Sequence, residues 1–218
     1  MSSGAAFRKR RVPKLTGSQW AWLALLAIAL ILAQIGQPFP EVAPLHHAPT
    51  LVLLLAAPWL LRRWPISDAS LACVVIFLLL HTLGGRYTYT NVPYEDWWHS
   101  LTGGDLAALT GWTRNHYDRL VHLAFGVLCV LPVVDYMHLK GMRLRAGLWA
   151  AMGFVLSVSA LYEIFEWALA LTMAGDVADA YNGQQGDMWD AQKDMALAAF
   201  GAATVSIVLA VRARGRFS

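Results

Sequence analysis

The sequence contains few cysteines and few charged residues. Cys73 and Cys129 are the two cysteines among 218 residues, and both lie within apolar runs, so neither a disulfide nor a cysteine metal site is predicted. Charged residues make up 14% of the chain, whereas a soluble domain is about one quarter charged. Hydrophobic residues make up 57%. One globule of this size cannot bury so much apolar surface, so lipid must cover part of it.

Common catalytic signatures are also missing. The sequence has no H-E-x-x-H, G-x-S-x-G or P-loop motif, so it does not fall into the enzyme classes that these motifs define. It also lacks internal repeats and low-complexity segments. The net charge of +3 and the pI near 9.0 arise from short basic runs beside apolar segments, a pattern typical of membrane topology. We therefore expect no nucleic-acid partner.

Six segments are candidates for membrane spans, each of which needs roughly 20 apolar residues in a helix. They are residues 18–37, 47–61, 66–83, 118–138, 146–173 and 189–211. The second is short and contains Pro49 and Pro58, which disfavour a continuous helix. The first follows basic residues, as a signal peptide does, but its apolar run is long and no clear cleavage site follows it. The predicted fold class is an all-α polytopic membrane bundle with about six transmembrane helices.

The basic residues predict the orientation. With a cytoplasmic N-terminus, 13 of the 17 Lys and Arg residues lie on the cytoplasmic side of the six spans. These are Arg8, Lys9, Arg10, Arg11, Lys14, Arg62, Arg63, Lys140, Arg143, Arg145, Arg212, Arg214 and Arg216. The outer ones are Arg86, Arg114, Arg119 and Lys193. Removing the second span would destroy this bias, so the positive-inside rule favours six spans with both termini cytoplasmic.

These boundaries divide the chain into three parts: a basic cytoplasmic N-terminus at 1–17, one membrane-embedded helical domain at 18–211, and a basic cytoplasmic tail at 212–218. The domain contains one long outer connection, 84–117, that is rich in Tyr and Trp. Aromatic rings with polar tips suit the membrane–water interface. We therefore expect this connection to form a lid on the outer surface, with a short helix around 94–101.

Ionisable side chains recur at helical spacing within four of the spans. They are His81 in the third span, Asp118 and His122 in the fourth, Glu163 and Glu166 in the fifth, and Asp187, Asp190 and Asp194 at the start of the sixth. Residues three or four apart share one helix face. At 1.5 Å per residue, Glu163 lies about 14 Å inside its helix, near the middle of a roughly 30 Å hydrocarbon core. A carboxylate there costs about 2.5–3.5 kcal/mol.

Because the spans alternate in direction, all of these groups reach the same half of the bilayer. We predict one polar cluster inside the bundle that opens outward. Arg119 and Lys193 are the basic residues near enough to pair with its acids, and they are too few to neutralise five carboxylates. Some acids are therefore protonated, or a cation is bound. The alternative is that these residues only hydrogen-bond the helices together.

Carboxylates and imidazoles that converge from several helices resemble the metal sites of helical bundles. A mixed set suits zinc, manganese or iron, so the expected cofactor is a divalent metal of unknown identity. The predicted metal ligands are His81, His122, Glu163, Glu166, Asp187, Asp190 and Asp194. The predicted catalytic residues are Asp118, His122, Glu163, Glu166, Asp190 and Asp194, of which Asp118 and His122 also suit an acid–base pair without a metal. The predicted substrate-binding residues are Arg86, Arg114, Arg119 and Gln185; arginine suits phosphate or carboxylate.

Four segments carry a resemblance to a known family. They are HTLGGRYTY (81–89), RNHYDRLVH (114–122), LYEIFEW (161–167) and YNGQQGDMWDAQKDM (181–195). Together they closely resemble the YjdF-like family of bacterial inner-membrane proteins, over roughly residues 20–210. The resemblance implies a multi-pass protein of the bacterial inner (plasma) membrane. In such a protein, the orientation predicted from the basic residues puts the functional face on the periplasmic side. The family has no assigned biochemical activity.

The chain is also remotely similar to VanZ-like membrane proteins, which are associated with resistance to glycopeptide antibiotics. Asp118, Arg119 and His122 match their Asp–basic–x–x–His helix start, and the later acidic residues match their paired Glu/Gln helix and Asp-rich helix start. The aromatic connection at 84–117 is an insertion relative to that pattern.

Three functions compete at this point. The first is a membrane-embedded hydrolase or transferase that acts on an amphiphilic or lipid-linked small molecule, because a polar cluster lies beneath an aromatic connection. The second is an ion- or proton-coupled transporter, because buried acids also form ion paths. The third is a non-catalytic scaffold. Membrane lipid is the expected partner in each case, and the sequence does not predict the oligomeric state.

Overall fold

The computed structural model describes residues 14–172 and 185–214. This part of the chain forms eight α-helices and no strand: α1 Gly17–Gln34, α2 Ala43–Arg63, α3 Asp68–Arg86, α4 Tyr94–Thr102, α5 Leu106–Thr110, α6 Tyr117–Leu139, α7 Leu144–Thr172 and α8 Asp190–Arg214. Six of them, all but α4 and α5, are long and apolar enough to cross a membrane. The prediction of an all-α membrane bundle with six spans is confirmed.

The second span is longer than the sequence predicts. Helix α2 runs from Ala43 to Arg63 with Pro49 and Pro58 inside it, four residues earlier than the predicted start. Pro44 lies in its first turn. A backbone N–H at this position would have no acceptor within the helix, so proline loses no hydrogen bond there. Because α2 packs against both α1 and α3, tertiary contacts stabilise a helix that proline alone would weaken.

Helix α6 is the centre of the bundle and contacts α3, α7 and α8, while α1 and α2 pack around α3. The largest apolar cluster joins α6, α7 and α8 and includes Val130, Ala151, Val155, Ala198 and Ala202, all fully buried. Small side chains at these positions let the helix backbones approach closely, as is common where helices associate in lipid. Lipid-facing residues such as Leu55 and Ile31 stay exposed.

One end of the bundle is held by short polar links. Asp135, near the end of α6, accepts hydrogen bonds from the Ser67 and Ser70 hydroxyls at 2.5 Å and from the Ser67 backbone N–H at 3.0 Å. Thr16, the N-cap of α1, donates to Asp68 at 3.1 Å. The start of α1, the start of α3 and the end of α6 therefore lie at the same end. We call it the basic end, because Arg62 and Arg63 precede α3 and Lys140 and Arg143 follow α6.

The aromatic connection has two parts with different environments. Tyr89 and Val92 are buried against α6, whereas α4 and α5 contain no buried residue and pack against each other. Trp97 and Trp98 on α4 are about 40% exposed. The short helix predicted at 94–101 is confirmed as α4, and its first residue, Tyr94, packs against the buried cluster of Tyr89 and Val92. The lid stays a prediction.

Candidate functional site

Three buried side chains from α6 and α8 converge in the half of the bundle opposite the basic end. Asp118 and His122 lie one turn apart on α6, and Asp194 lies in the second turn of α8. One ligand atom from each residue lies within 4.8 Å of the others. We call this set the acidic triad. Its members are 2–7% exposed, and its donors, two carboxylates and one imidazole, are ligands that divalent transition metals accept.

The close approach of α6 and α8 positions the acidic triad. A Cβ added to Gly126 would lie 2.0 Å from the Ala198 carbonyl oxygen. Gly126 is four residues after His122, and Ala198 is four residues after Asp194, so this backbone contact lies one helical turn from the triad. Gly201 makes a similar approach, since its added Cβ would lie 2.7 Å from the Leu123 carbonyl oxygen. Glycine at both positions lets the two helices meet.

Glu163 of α7 lies next to the acidic triad. Its Oε1 lies 3.5 Å from Nε2 of His122, and that nitrogen lies 3.6 Å from Oδ1 of Asp118. Oε1 of Glu163 and Oδ1 of Asp194 are buried and accept no hydrogen bond from the described residues. Because a buried polar atom without a partner costs roughly 1–3 kcal/mol, these two oxygens favour a ligand or a proton in this part of the bundle.

Glu166 lies at the edge of this group. It is 9% exposed, it shares a hydrogen bond with Tyr162, and its strongest electrostatic neighbours are Asp118 and Glu163. The sequence predicts Glu166 as a metal ligand and a catalytic residue. Its hydrogen-bond partner Tyr162 lies one turn earlier on the same helix and is not among the site residues predicted from the sequence.

Asp187 and Asp190 bind basic residues and do not belong to the ligand group that the described residues form. Arg114 pairs with Asp190 at 2.7 Å and with Asp187 at 3.5 Å. Arg119 pairs with Asp187 at 2.5 Å and with Asp190 at 3.3 Å, and Lys193 pairs with Asp187 at 2.5 Å. We call these five residues the ion-pair roof, because each of them comes before His122 or Asp194 in its segment and lies toward the end of the bundle opposite the basic end.

The ion-pair roof changes the predicted roles of its members. The sequence predicts Asp187 and Asp190 as metal ligands and Arg114 and Arg119 as substrate-binding residues, but these side chains bind each other. It also predicts a cluster that opens outward, and this stays a prediction. The spacing of Asp187, Asp190 and Asp194 would put all three on one helix face. Spacing alone therefore does not show that Asp187 and Asp190 form ion pairs while Asp194 belongs to the triad.

The charges of the ion-pair roof shift the pKa values of Asp187 and of the neighbouring His116. Hydrogen bonds from the Lys193 ammonium and the Trp189 backbone N–H, together with Arg119, lower the pKa of Asp187 from 3.8 to about 2. Burial lowers the pKa of His116, which precedes α6, and the positive charges of Arg119 and Arg114 lower it further. At neutral pH, Asp187 is therefore ionised and His116 is neutral.

Gln185 contacts the backbone beside this roof. Its Oε1 accepts from the Asn115 N–H and its Nε2 donates to the Asn115 carbonyl, both at 2.9 Å. The Asn115 side chain in turn donates to the Val92 carbonyl and accepts from the Tyr117 N–H. Gln185, predicted to bind substrate, therefore joins the segment before α8 to the start of α6, and Asn115 is a positioning residue that the sequence reading missed.

Two further predicted site residues lie outside the acidic triad. His81 donates from Nε2 to the His46 carbonyl at 2.8 Å, and its Nδ1 is hydrogen-bonded to the Tyr89 hydroxyl. With both ring nitrogens engaged, His81 is not a metal ligand in this arrangement. Arg86 donates to four carbonyl oxygens of residues 32, 33, 35 and 36 at the end of α1, so it caps that helix rather than facing the triad.

The segment HTLGGRYTY therefore has a structural role. An added Cβ on Gly84 would lie 2.7 Å from the Tyr89 ring, and one on Gly85 would lie 2.6 Å from Cβ of His46. Thr88 and Tyr89 adopt positive φ angles of 51° and 56°, which are uncommon for residues other than glycine. The two adjacent histidines at 46 and 47, in the least apolar span, are the sequence signal that points to this packing.

A cavity of about 250 Å³ lies beside the acidic triad, between α2, α3, α6 and α7. Asp118 and His122 form part of its wall, and most of the remaining wall is apolar, as Phe77, Leu78 and Phe125 illustrate. The arrangement therefore combines a polar group able to hold a cation with an adjoining apolar space.

Comparison with known proteins places the chain in a family. A family model described as "Predicted membrane protein (DUF2238)" matches residues 18–215. The chain is 34% identical over 174 residues to the inner membrane protein YjdF of Escherichia coli (strain K12), and the match covers 78% of this chain and 76% of that protein. No solved structure is significantly similar.

These matches confirm the resemblance to the YjdF-like family. The similarity to VanZ-like proteins stays a prediction. Together with the six apolar helices, the relationship to YjdF makes the protein a multi-pass component of the inner membrane whose activity is unassigned. The chain belongs to the family of predicted membrane proteins designated DUF2238.

Proposed function

We propose that this protein is a metal-dependent membrane enzyme, a hydrolase or transferase, whose site lies in the periplasmic half of the bundle. The observation that carries the proposal is the acidic triad: three ligand atoms within 4.8 Å of one another, with a buried carboxylate oxygen of Asp194 and another of Glu163 left without a hydrogen-bond donor in the described chain.

The charge balance supports a bound cation. Asp187 and Asp190 are paired with Arg114, Arg119 and Lys193. The four remaining carboxylates, on Asp118, Glu163, Glu166 and Asp194, have no Lys or Arg partner among the described ion pairs, and residues 173–184 contain no Lys or Arg. Several carboxylates in a low-dielectric interior repel one another strongly. A divalent cation bound by Asp118, His122 and Asp194 would remove most of that repulsion.

The residues around the triad suit hydrolysis or group transfer. A bound divalent cation supplies a Lewis acid and lowers the pKa of a coordinated water. Glu163 lies beside His122 and outside the triad, so we assign it the role of proton acceptor and donor. The orientation with both termini in the cytoplasm, which the 13 inner basic residues favour, places this group on the periplasmic side.

A transporter has less support, because the apolar cluster of α6, α7 and α8 fills the bundle between the triad and the basic end. A polar path between α6, α7 and α8 would have to cross Val130, Ala151 and Val155, which are fully buried.

Metal analysis of the detergent-purified protein tests the proposal. We expect the wild type to retain zinc, manganese or iron in proportion to protein, and Asp194→Asn to lose most of it while remaining folded. Asp135→Asn is the matched control, because Asp135 is a carboxylate at the other end of the bundle that binds Ser67 and Ser70. Wild-type protein without bound metal after purification in metal-supplemented buffer, or equal metal in wild type and Asp194→Asn, would contradict the proposal.

A further inference from the structure

The cavity beside the acidic triad adjoins a gap between two of the helices that are long and apolar enough to span a membrane. It lies between α2 and α7 on one side and α3 and α6 on the other. Helices α2 and α7 do not pack against each other, since no Cα atom of one lies within 8 Å of a Cα atom of the other. Leu53 of α2, which lines the cavity, is 45% exposed. Because both helices cross the membrane, the gap between them faces hydrocarbon rather than water.

The wall chemistry of the cavity is that of an amphiphile-binding site. Its lining is almost entirely apolar, but Thr50 and Ser159, which are 0% and 2% exposed, contribute hydroxyl groups with no hydrogen-bond partner in the described chain. The apolar wall suits a hydrocarbon chain, and the polar groups on the triad side suit the polar end of an amphiphile. Asp118 and His122 complete the wall on the triad side, so the polar end of the occupant meets the triad.

The size of the cavity fits one chain. An apolar cavity of about 150 Å³ in a protein interior holds a benzene molecule. The volume of about 250 Å³ therefore accommodates a segment of a single hydrocarbon chain, and the remainder of the chain extends through the gap into the bilayer. The members of the acidic triad are 2–7% exposed, so the gap between α2 and α7 is the route that we infer for the chain.

We propose that a lipid of the periplasmic leaflet enters sideways between α2 and α7, that one of its hydrocarbon chains occupies the cavity, and that its polar end is presented to Asp118 and His122. This inference rests on the proposed function, because it names the substrate class of the same site: a lipid or lipid-linked molecule taken from the bilayer rather than a soluble compound.

Photocrosslinking tests the proposal. The wild-type protein is reconstituted in vesicles of phosphatidylethanolamine and phosphatidylglycerol that contain a phosphatidylglycerol with a diazirine group in one acyl chain. After irradiation, mass spectrometry locates the labelled peptides. We expect labelling to be enriched at the cavity-lining stretches around Leu53 and Val158 over lipid-facing surface such as Ile164, which is 56% exposed.

Two variants block the cavity at different depths. Val158→Trp fills the interior, and Leu53→Trp narrows the mouth at an exposed position where folding is little affected. Both should reduce the labelling of the cavity at least several-fold while the metal content is retained. Ile164→Trp, on the lipid-facing side of α7, is the matched control and should leave labelling unchanged. Labelling that is no greater in the cavity than at the outer surface, or that is insensitive to Leu53→Trp, overturns the inference.

Metal content measured on the same samples separates the two proposals. Cavity labelling without bound metal would support a lipid site and contradict the metalloenzyme. Bound metal without cavity labelling would leave the metal centre standing and reject entry through the lipid gap.

Discussion

The substitution Gly126→Ala tests how α6 and α8 assemble the acidic triad. Its added Cβ would lie 2.0 Å from the Ala198 carbonyl oxygen, whereas ordinary van der Waals contact begins at 3.4 Å. The helices must therefore separate locally by about 1.4 Å, since the obstructing atom belongs to the backbone and has no side-chain freedom. Overpacking of this kind costs about 1–3 kcal/mol and occasionally more.

This movement of the helices should affect both the stability of the protein and its binding of metal. Because the contact lies one turn from His122 and Asp194, separating the helices also separates ligand atoms that lie within 4.8 Å of each other. We expect Gly126→Ala to lower both the free energy of unfolding and the affinity for metal. At roughly 2–4 °C per kcal/mol for a chain of this size, Tm should fall by several degrees.

Two other glycines supply an internal scale for this experiment. Gly201→Ala meets the Leu123 carbonyl oxygen at 2.7 Å and requires a smaller shift, whereas an added Cβ on Gly153 meets nothing within 4 Å. Gly153→Ala should be neutral or stabilising by about 0.5–1 kcal/mol, because alanine is the better helix former. The expected order of destabilisation in thermal unfolding is Gly126→Ala, then Gly201→Ala, then Gly153→Ala. Equal Tm values for the first and third variants would refute the reasoning.

Two further predictions concern charged groups. Glu163→Gln keeps the shape of the side chain but removes its ability to accept a proton. We expect this variant to retain bound metal and the yield of folded protein but to lose activity in a complementation or lipid-turnover assay. Glu163→Leu should in addition lose about 1–3 kcal/mol of stability. Normal activity of the glutamine variant would favour a scaffold. Asp187 has a pKa lowered from 3.8 to about 2, so its stabilising contribution should be fully present above pH 3.8 and disappear as the pH falls toward 2. The difference in Tm between wild type and Asp187→Asn, followed across that range, measures it, and a difference that stays constant would contradict the assignment.

The spans were predictable from the sequence because hydrophobic length is a local property. Each run of about 20 apolar residues must form a helix in lipid, whatever it contacts. The second span illustrates the limit: Pro49 and Pro58 weaken the local signal, and the contacts of α2 with α1 and α3 that stabilise it are not visible in its own residues.

The site was predictable in outline and not in detail. Alternating helix directions bring Asp118, His122, Glu163 and Asp194 to one half of the bundle, and helical spacing puts neighbours on one face. Asp190 binds Arg114, whereas Asp194 belongs to the triad. This difference depends on the rotation and separation of α6 and α8. Those depend on the contact at Gly126, a tertiary feature that no single-helix pattern records.

The measurement that tests the metal centre most directly is X-ray absorption at the edge of the metal retained by the purified protein. We expect a first shell of mixed oxygen and nitrogen ligands at about 2.0–2.2 Å, with the outer-shell signal of an imidazole that disappears in His122→Gln. A shell of oxygen alone, unchanged by that substitution, would contradict it.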